Sequence, residues 1–254
     1  MLKREDIKAI ITVPTYHNPT GVTMSDERRE HLLRLAVSHR VPIIEDDWGR
    51  LLRYEGSAPP PLKSLDPGGY VIHIGTFSKV FLPGMRIGWI TCPAAISIPL
   101  VRAKLGADSG DSFFLQALLH EIISKGHFAR HLRKTLKEYR ARRDAMVETL
   151  TECLPDGCQF QVPQGGFSLW LQLPDGINSM PLLSMAREAN VEFFPASFMM
   201  PDRKDTNALR LSFSRNSVED IRSGVRALCS VVADAVNDPD RLGGGATTFE
   251  ELYQ

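Results

Sequence analysis

Ala9-Ile10-Ile11-Thr12-Val13 and Val41-Pro42-Ile43-Ile44-Glu45-Asp46-Asp47 are the two stretches on which the fold turns. The first is a short β-branched run that stops at Pro14. The second is an apolar run that stops at three carboxylates, and both read as buried strands. Between them, Asn18-Pro19-Thr20-Gly21 reads as a turn. Ser25 then reads as an N-cap, with Asp26 and Glu27 in the first helical turn and Leu32, Leu33, Leu35 and Ala36 as the apolar stripe. Strand, helix and strand within about 35 residues make a βαβ unit, which implies a parallel sheet with right-handed crossovers.

Further along, Tyr70–Gly75 reads as a third strand and Arg86–Thr91 as a fourth. From Ser112 to Leu154 the pattern is helical, with Leu132, Leu136, Tyr139, Met146 and Leu150 on one face and Arg130, Arg133, Lys134, Lys137 and Arg140 on another, which reads as a solvated face. From Gln159 the pattern changes. Phe167–Leu173 alternates like a strand, Met180–Ala189 reads as a helix, and Val191–Phe194 and Ala208–Phe213 read as strands before a last helix opening at Ser217. The expected fold is α/β: part of a mostly parallel sheet with helices on both faces, plus a smaller α+β C-terminal domain. The expected divisions are residues 1–125 for the large domain, 126–155 for a connecting helix, 156–236 for the small domain and 237–254 for a loose tail.

Composition narrows the function classes. Apolar residues make up 43% of the 254 and charged residues 24%, as in an ordinary globular domain. Thirty basic residues balance thirty acidic ones, so no basic excess points to nucleic acid. No apolar run approaches the roughly 18 residues of a membrane span, and Met1–Asp6 has no apolar secretory core. Cys92, Cys153, Cys158 and Cys229 form no CxxC pair, so no metal site or disulfide framework is expected. They read as small apolar residues in a reducing, cytoplasmic setting.

The chemistry concentrates in Gly75-Thr76-Phe77-Ser78-Lys79-Val80-Phe81-Leu82-Pro83-Gly84-Met85-Arg86-Ile87-Gly88-Trp89. Two hydroxyls precede a lysine, and an arginine follows it. Thr76, Ser78 and backbone N–H groups at a strand end can bind an anion, and Arg86 can grip a phosphate through two parallel hydrogen bonds. Lys79 would then be a nucleophilic amine beside a phosphate site. Asn18 ends the first strand region with an amide, and Asp46 and Asp47 end the second with carboxylates. Taken singly, these are a polar turn with two surface cations, a turn former and a solvated strand terminus. Ligands of open parallel sheets sit at the carboxyl ends of the strands. Together the three ends describe a pocket for a phosphorylated pyridine aldehyde.

On these residues the chain resembles the fold-type I pyridoxal-phosphate enzymes, specifically the class I/II aminotransferases. It is most similar to the 2-aminoadipate aminotransferase group and the aminotransferase-like domains of MocR-type regulators, from about Ile10 to Ala235. The resemblance implies pyridoxal 5'-phosphate as cofactor, with Lys79 as the catalytic lysine that carries it and moves a proton at the substrate α-carbon. It implies phosphate binding by Thr76, Ser78 and Arg86, a ring-oxygen contact from Asn18, and a pyridine-nitrogen contact from Asp46. Successive strand side chains point to opposite faces, and the family motif selects Asp46 over Asp47. Arg210, in Leu209-Arg210-Leu211-Ser212-Phe213, would hold the substrate α-carboxylate, and Gly165-Gly166 matches the Pro-x-Gly-Gly turn that opens the small domain. Trp48 stands where relatives carry a tyrosine; its indole N–H is the donor that would replace the phenol. Nothing before Asn18 supplies the family's glycine-rich phosphate loop or ring-stacking aromatic, so the chain reads as the second half of a longer protein. The implied activity is transamination between an L-amino acid and a 2-oxo acid by a homodimer, with no nucleic acid or membrane contacted by this segment. The alternative is the effector-binding domain of a transcription regulator, or an inactive fragment of either.

Overall fold

The computed structural model describes residues 6–108, 110–201 and 206–244. The chain divides into two compact units, one of Met1–His17 with Thr23–Leu136 and the other of Asn18–Val22 with Lys137–Gln254.

In the first unit, β1 (Ile10–Thr12), α1 (Asp26–His39), β2 (Ile43–Asp46), β3 (Val71–Thr76) and β4 (Gly88–Thr91) follow in order. The sheet order is β1-β2-β3-β4, with β1, β2 and β3 parallel and β4 antiparallel to β3. The βαβ unit read from the sequence is therefore present. Ser25 caps α1 by accepting from the Arg28 N–H at 3.4 Å, and Leu33 and Ala36 pack with Ile43, Leu62 and Val71 as the core under the sheet.

Arg29 also faces this core. Its guanidinium is fully buried and donates to Met24 O (2.9 Å), Pro60 O (3.1 Å), Pro14 O (2.7 Å) and Thr15 Oγ1 (2.8 Å). These acceptors lie at both ends of the connection from β1 to α1 and on the loop before β3. Arg29 precedes Leu33 and Ala36 at helical spacing, which is the signal that an inward-facing role leaves in the sequence.

Three further helices follow: α2 (Ala94–Asp108), α3 (Phe113–Ser124) and α4 (His127–Cys153), of which α4 belongs to the second unit from Lys137 onward. The single helical stretch expected over 112–154 is two helices, because Gly126 adopts a φ of 73° that ends α3. Helix α2 has no counterpart in the sequence reading. Its apolar residues lack a one-sided stripe: Ile98, Leu100, Val101 and Leu105 are all exposed and no residue of the helix is buried. Strand β4 is exposed along its whole length, so this unit carries an apolar surface of the kind that partners cover. The five basic residues of the α4 stripe are exposed, as a solvated face requires.

The second unit contains β5 (Gln159–Phe160), β6 (Ser168–Gln172), α5 (Ser179–Glu188), β7 (Phe194–Pro195), β8 (Ala208–Ser212) and α6 (Val218–Asn237). Its antiparallel sheet has the order β5-β6-β8-β7. Leu169, Leu171, Leu209 and Leu211 alternate into the core, against Leu182, Leu183, Val225 and Leu228 of the helices. A capping box of Ser217 and Asp220 starts α6. After α6, Pro239–Gly244 form a 3-10 turn, and residues 245–254 of the expected tail lie outside the described residues. No described helix is long and apolar enough to cross a membrane.

Removing the Arg29 side chain strands several buried carbonyls. Arg29→Ala is expected to cost about 3 kcal/mol or more, read as a lowered urea midpoint, whereas Arg28→Ala, on an exposed neighbour, stays within about 0.5 kcal/mol.

Candidate functional site

The parallel pairing of β2 and β3 sets the geometry of the first unit's strand ends. Asp46 pairs in register with Ile74, two residues before Thr76, and Glu45 pairs with His73. The pleat therefore puts Asp46, Ile74 and Thr76 on one face and Glu45 and His73 on the other. Asp47, two residues beyond Glu45, follows that second face: its Oδ2 lies 3.1 Å from His73 Nε2. The two adjacent aspartates thus separate, and Asp46 shares its face with the hydroxyl end of β3.

The three carboxylates differ in environment. Glu45 is fully buried and accepts from the Leu62 N–H at 2.7 Å and the Lys63 N–H at 3.0 Å, which fixes the loop ahead of β3. Asp47 is 7% exposed, and its Oδ1 is buried with no partner. Asp46 is half-buried, and its Oδ1 accepts from the Trp48 N–H at 3.2 Å. Burial, aided by the neighbouring Asp47 charge, pushes the Asp46 carboxyl above its ordinary value, against the Trp48 N–H that favours the anion. The bond to Asp47 holds His73 protonated above its usual range, against the burial that opposes it.

After β3 the chain turns through the hydroxyl–lysine segment. Thr76 Oγ1 donates to Ile87 O at 3.3 Å and accepts from the Ser78 N–H at 3.1 Å. Arg86 Nη1 donates to Ser78 Oγ at 3.5 Å. Arg86 sits at φ 53°, a left-handed conformation that a non-glycine residue holds at a cost of about 1 kcal/mol or more. Lys79 is exposed. Among the described residues neither Lys79 nor Arg86 forms an ion pair, so the stretch from Thr76 to Arg86 carries two cations and two hydroxyls with no carboxylate bonded to them. That donor set fits a phosphate, and the neighbouring Asp46 carboxylate fits a protonated ring nitrogen. On the opposite face of β3, the Trp89 ring of β4 occupies the space above Gly75, and any side chain at Gly75 would overlap it.

In the second unit, Asn18 and Arg210 are brought together although 192 residues separate them: Arg210 Nη1 donates to Asn18 Oδ1 at 2.9 Å. Arg210 pairs across the sheet with Trp170 on one side and Phe194 on the other, and its guanidinium lies 4.2 Å from the Phe194 ring centroid. Burial pulls its pKa down, and its Nε is buried with no partner. Arg210 thus holds one guanidinium N–H without an acceptor beside one already bonded, a donor pair of the kind that a carboxylate can accept from. The Asn18 oxygen accepts from Arg210, and its amide N–H₂ remains a donor group. Phe194 and the Asn18 partnership have no signature in the sequence.

The family model for aminotransferase class I and II matches residues 2–228. The chain is 36% identical over 228 residues to aromatic-amino-acid aminotransferase 1 of Thermococcus litoralis, covering 90% of this chain and 55% of that enzyme. It is 34% identical over 218 residues to the HTH-type transcriptional regulator YisV of Bacillus subtilis, covering 86% of this chain and 45% of that protein. The crystal structure of Pyrococcus horikoshii kynurenine aminotransferase in complex with PMP superposes with a TM-score of 0.89 at 35% identity, over 92% of this chain and 58% of that one. The chain spans about half the length of the curated relatives it matches.

The Asp47–His73 pair gives a pH signature. The folded His73 pKa is raised, so its contribution to stability is complete below the ordinary value of 6.5 and is lost as pH rises through the folded value. An NMR titration of His73 is expected to show a midpoint above 6.5, and Asp47→Asn to bring it down.

Proposed function

The chain belongs to the class I and II aminotransferase family, and from that premise we propose that it carries the lysine and phosphate-binding elements of a pyridoxal-phosphate-dependent transaminase. The reaction would move an amino group from an L-amino acid to a 2-oxo acid. The observation that carries this reading is the uncompensated cluster of Thr76, Ser78, Lys79 and Arg86 at the end of β3, one strand from Asp46.

Thr76 and Ser78 offer hydroxyls to the phosphate, and the Arg86 guanidinium neutralises its charge. The Asp46 carboxylate accepts the ring N–H and keeps that nitrogen protonated. The Trp48 indole is the local donor for the ring oxygen, and the Asn18 amide is a second. Lys79 is the residue that would hold the cofactor through its amine, and the free Lys79 Nζ would take the proton from the substrate α-carbon as a general base. Arg210 holds the substrate carboxylate through the N–H groups that Asn18 leaves unused. When bound, pyridoxal phosphate supplies the electron sink that makes that α-proton acidic. A homodimer in the cytoplasm belongs to the same reading, supported by the exposed apolar residues of β4 and α2 and by four cysteines present as thiols.

A second reading, an effector-sensing domain that uses the same lysine, is supported by the 34% identity to a transcriptional regulator. One experiment addresses both. After incubation with excess pyridoxal phosphate, borohydride reduction and peptide mapping are expected to place a pyridoxyl group on Lys79, and labelling of another lysine would overturn the assignment. Labelling at Lys79 without amino transfer from any L-amino acid would favour sensing. In a chain competent for transfer, Arg210→Ala is expected to raise KM for the amino acid about 10–100-fold through loss of a charge-assisted bond, while leaving the Lys79 label intact. An unchanged KM would remove the carboxylate role.

A further inference from the structure

Helix α4 and helix α6 lie side by side in the second unit and run in the same direction. Glu148 pairs with Arg222 at 2.7 Å, Glu152 pairs with Arg226 at 3.5 Å, and the next contact along the same seam is Cys153 with Cys229, at 2.6 Å between the sulfurs. The ion pairs are partly exposed and contribute little energy, but they mark the register in which the two helices pack. That register brings together two thiols 76 residues apart in sequence. Cys153 is the last residue of α4 and is half-buried; Cys229 is 2% exposed and sits among the core residues Val225, Leu228 and Val232. Cys158 lies near enough to act electrostatically on Cys229 and is also half-buried. Fixed register, sulfur apposition and one accessible partner are the conditions for a site-selective dithiol.

We propose that Cys153 and Cys229 form a reversible disulfide-forming site that ties the end of α4 to the middle of α6 and takes low-molecular-weight disulfides as its oxidant. The more accessible sulfur reacts first. Cys153, as its thiolate, attacks one sulfur of the external disulfide; one external thiolate leaves, and the other half remains on Cys153. Cys229 loses its proton and attacks the Cys153 sulfur, expelling the second external thiolate. Two protein thiols are oxidised by two electrons, the external disulfide is reduced to two thiols, and the two protons pass to the departing thiolates. Burial pushes the Cys229 thiol well above its usual range, which keeps it out of the first step and makes it the resolving partner.

The test uses the full chain, titrated with oxidised glutathione under native conditions, quenched in acid and mapped without reduction. Two of the four thiols are expected to disappear, with one cross-linked peptide joining Cys153 and Cys229 and full reversal by dithiothreitol. Closing so long a loop is expected to raise the Tm of the oxidised form by more than about 5 °C. Cys229→Ser should stop the cross-link and leave a glutathione adduct on Cys153. Should that variant fail to fold, Cys158→Ser and Cys92→Ser, which lie outside the pair, must still form the cross-link. A link from Cys158 to either partner, a stable adduct on Cys153 in the unsubstituted chain, or four unreacted thiols would each overturn the proposal.

Discussion

A guanidinium without access to water must find acceptors inside the protein, and Arg29 finds them at Pro14, Thr15, Met24 and Pro60. Desolvation pulls its pKa down while the Glu45 carboxylate supports the charge, so the cation is tolerated where a hydrocarbon would fit the helix stripe better. The return is positional. Pro14 and Met24 also bond to each other through the Met24 N–H and the Pro14 carbonyl, at 2.8 Å, so both ends of the loop that carries Asn18 are clamped to the first turn of α1. A Leu at this position would pack, but it would take the guanidinium donors from the Met24 and Pro60 carbonyls.

From that clamp outward, the strand ends follow from backbone rules alone. Parallel pairing aligns β2 with β3, the pleat sorts Asp46 from Asp47, and the turn after Thr76 presents hydroxyls and cations where the sheet stops. Glu45 fixes the return loop by accepting two backbone N–H groups. Asp46 leaves the strand on one face and Glu45 and Asp47 on the other, and each of the three meets different partners.

Much of this was legible before any coordinates. Period-2 and helical patterning found the βαβ unit, the Ser25 cap and the start of the last helix at Ser217, because those signals lie within a few residues of one another. The hydroxyl–lysine–arginine segment was legible for the same reason. What escaped is long-range or one-sided. The contact of Arg210 with Asn18 depends on a fold that closes 192 residues, and the apposition of Cys153 with Cys229 on helix register across 76. Helix α2 escaped because an apolar helix with no buried face has no periodicity to read. Arg29 escaped because a cation in a first turn normally means solvent.

Gly75 and Trp89 face each other across β3 and β4, and the indole fills the volume that a methyl group at position 75 would need. Neither residue is free to drift by itself. An alanine at 75 is tolerable only once the ring at 89 has shrunk, and a smaller residue at 89 opens a gap that selection would refill from 75. Across descendants of this sequence the two positions should therefore change as a correlated pair, and the first substitution to become fixed should be the one at Trp89, since only that order avoids a passage through overlap.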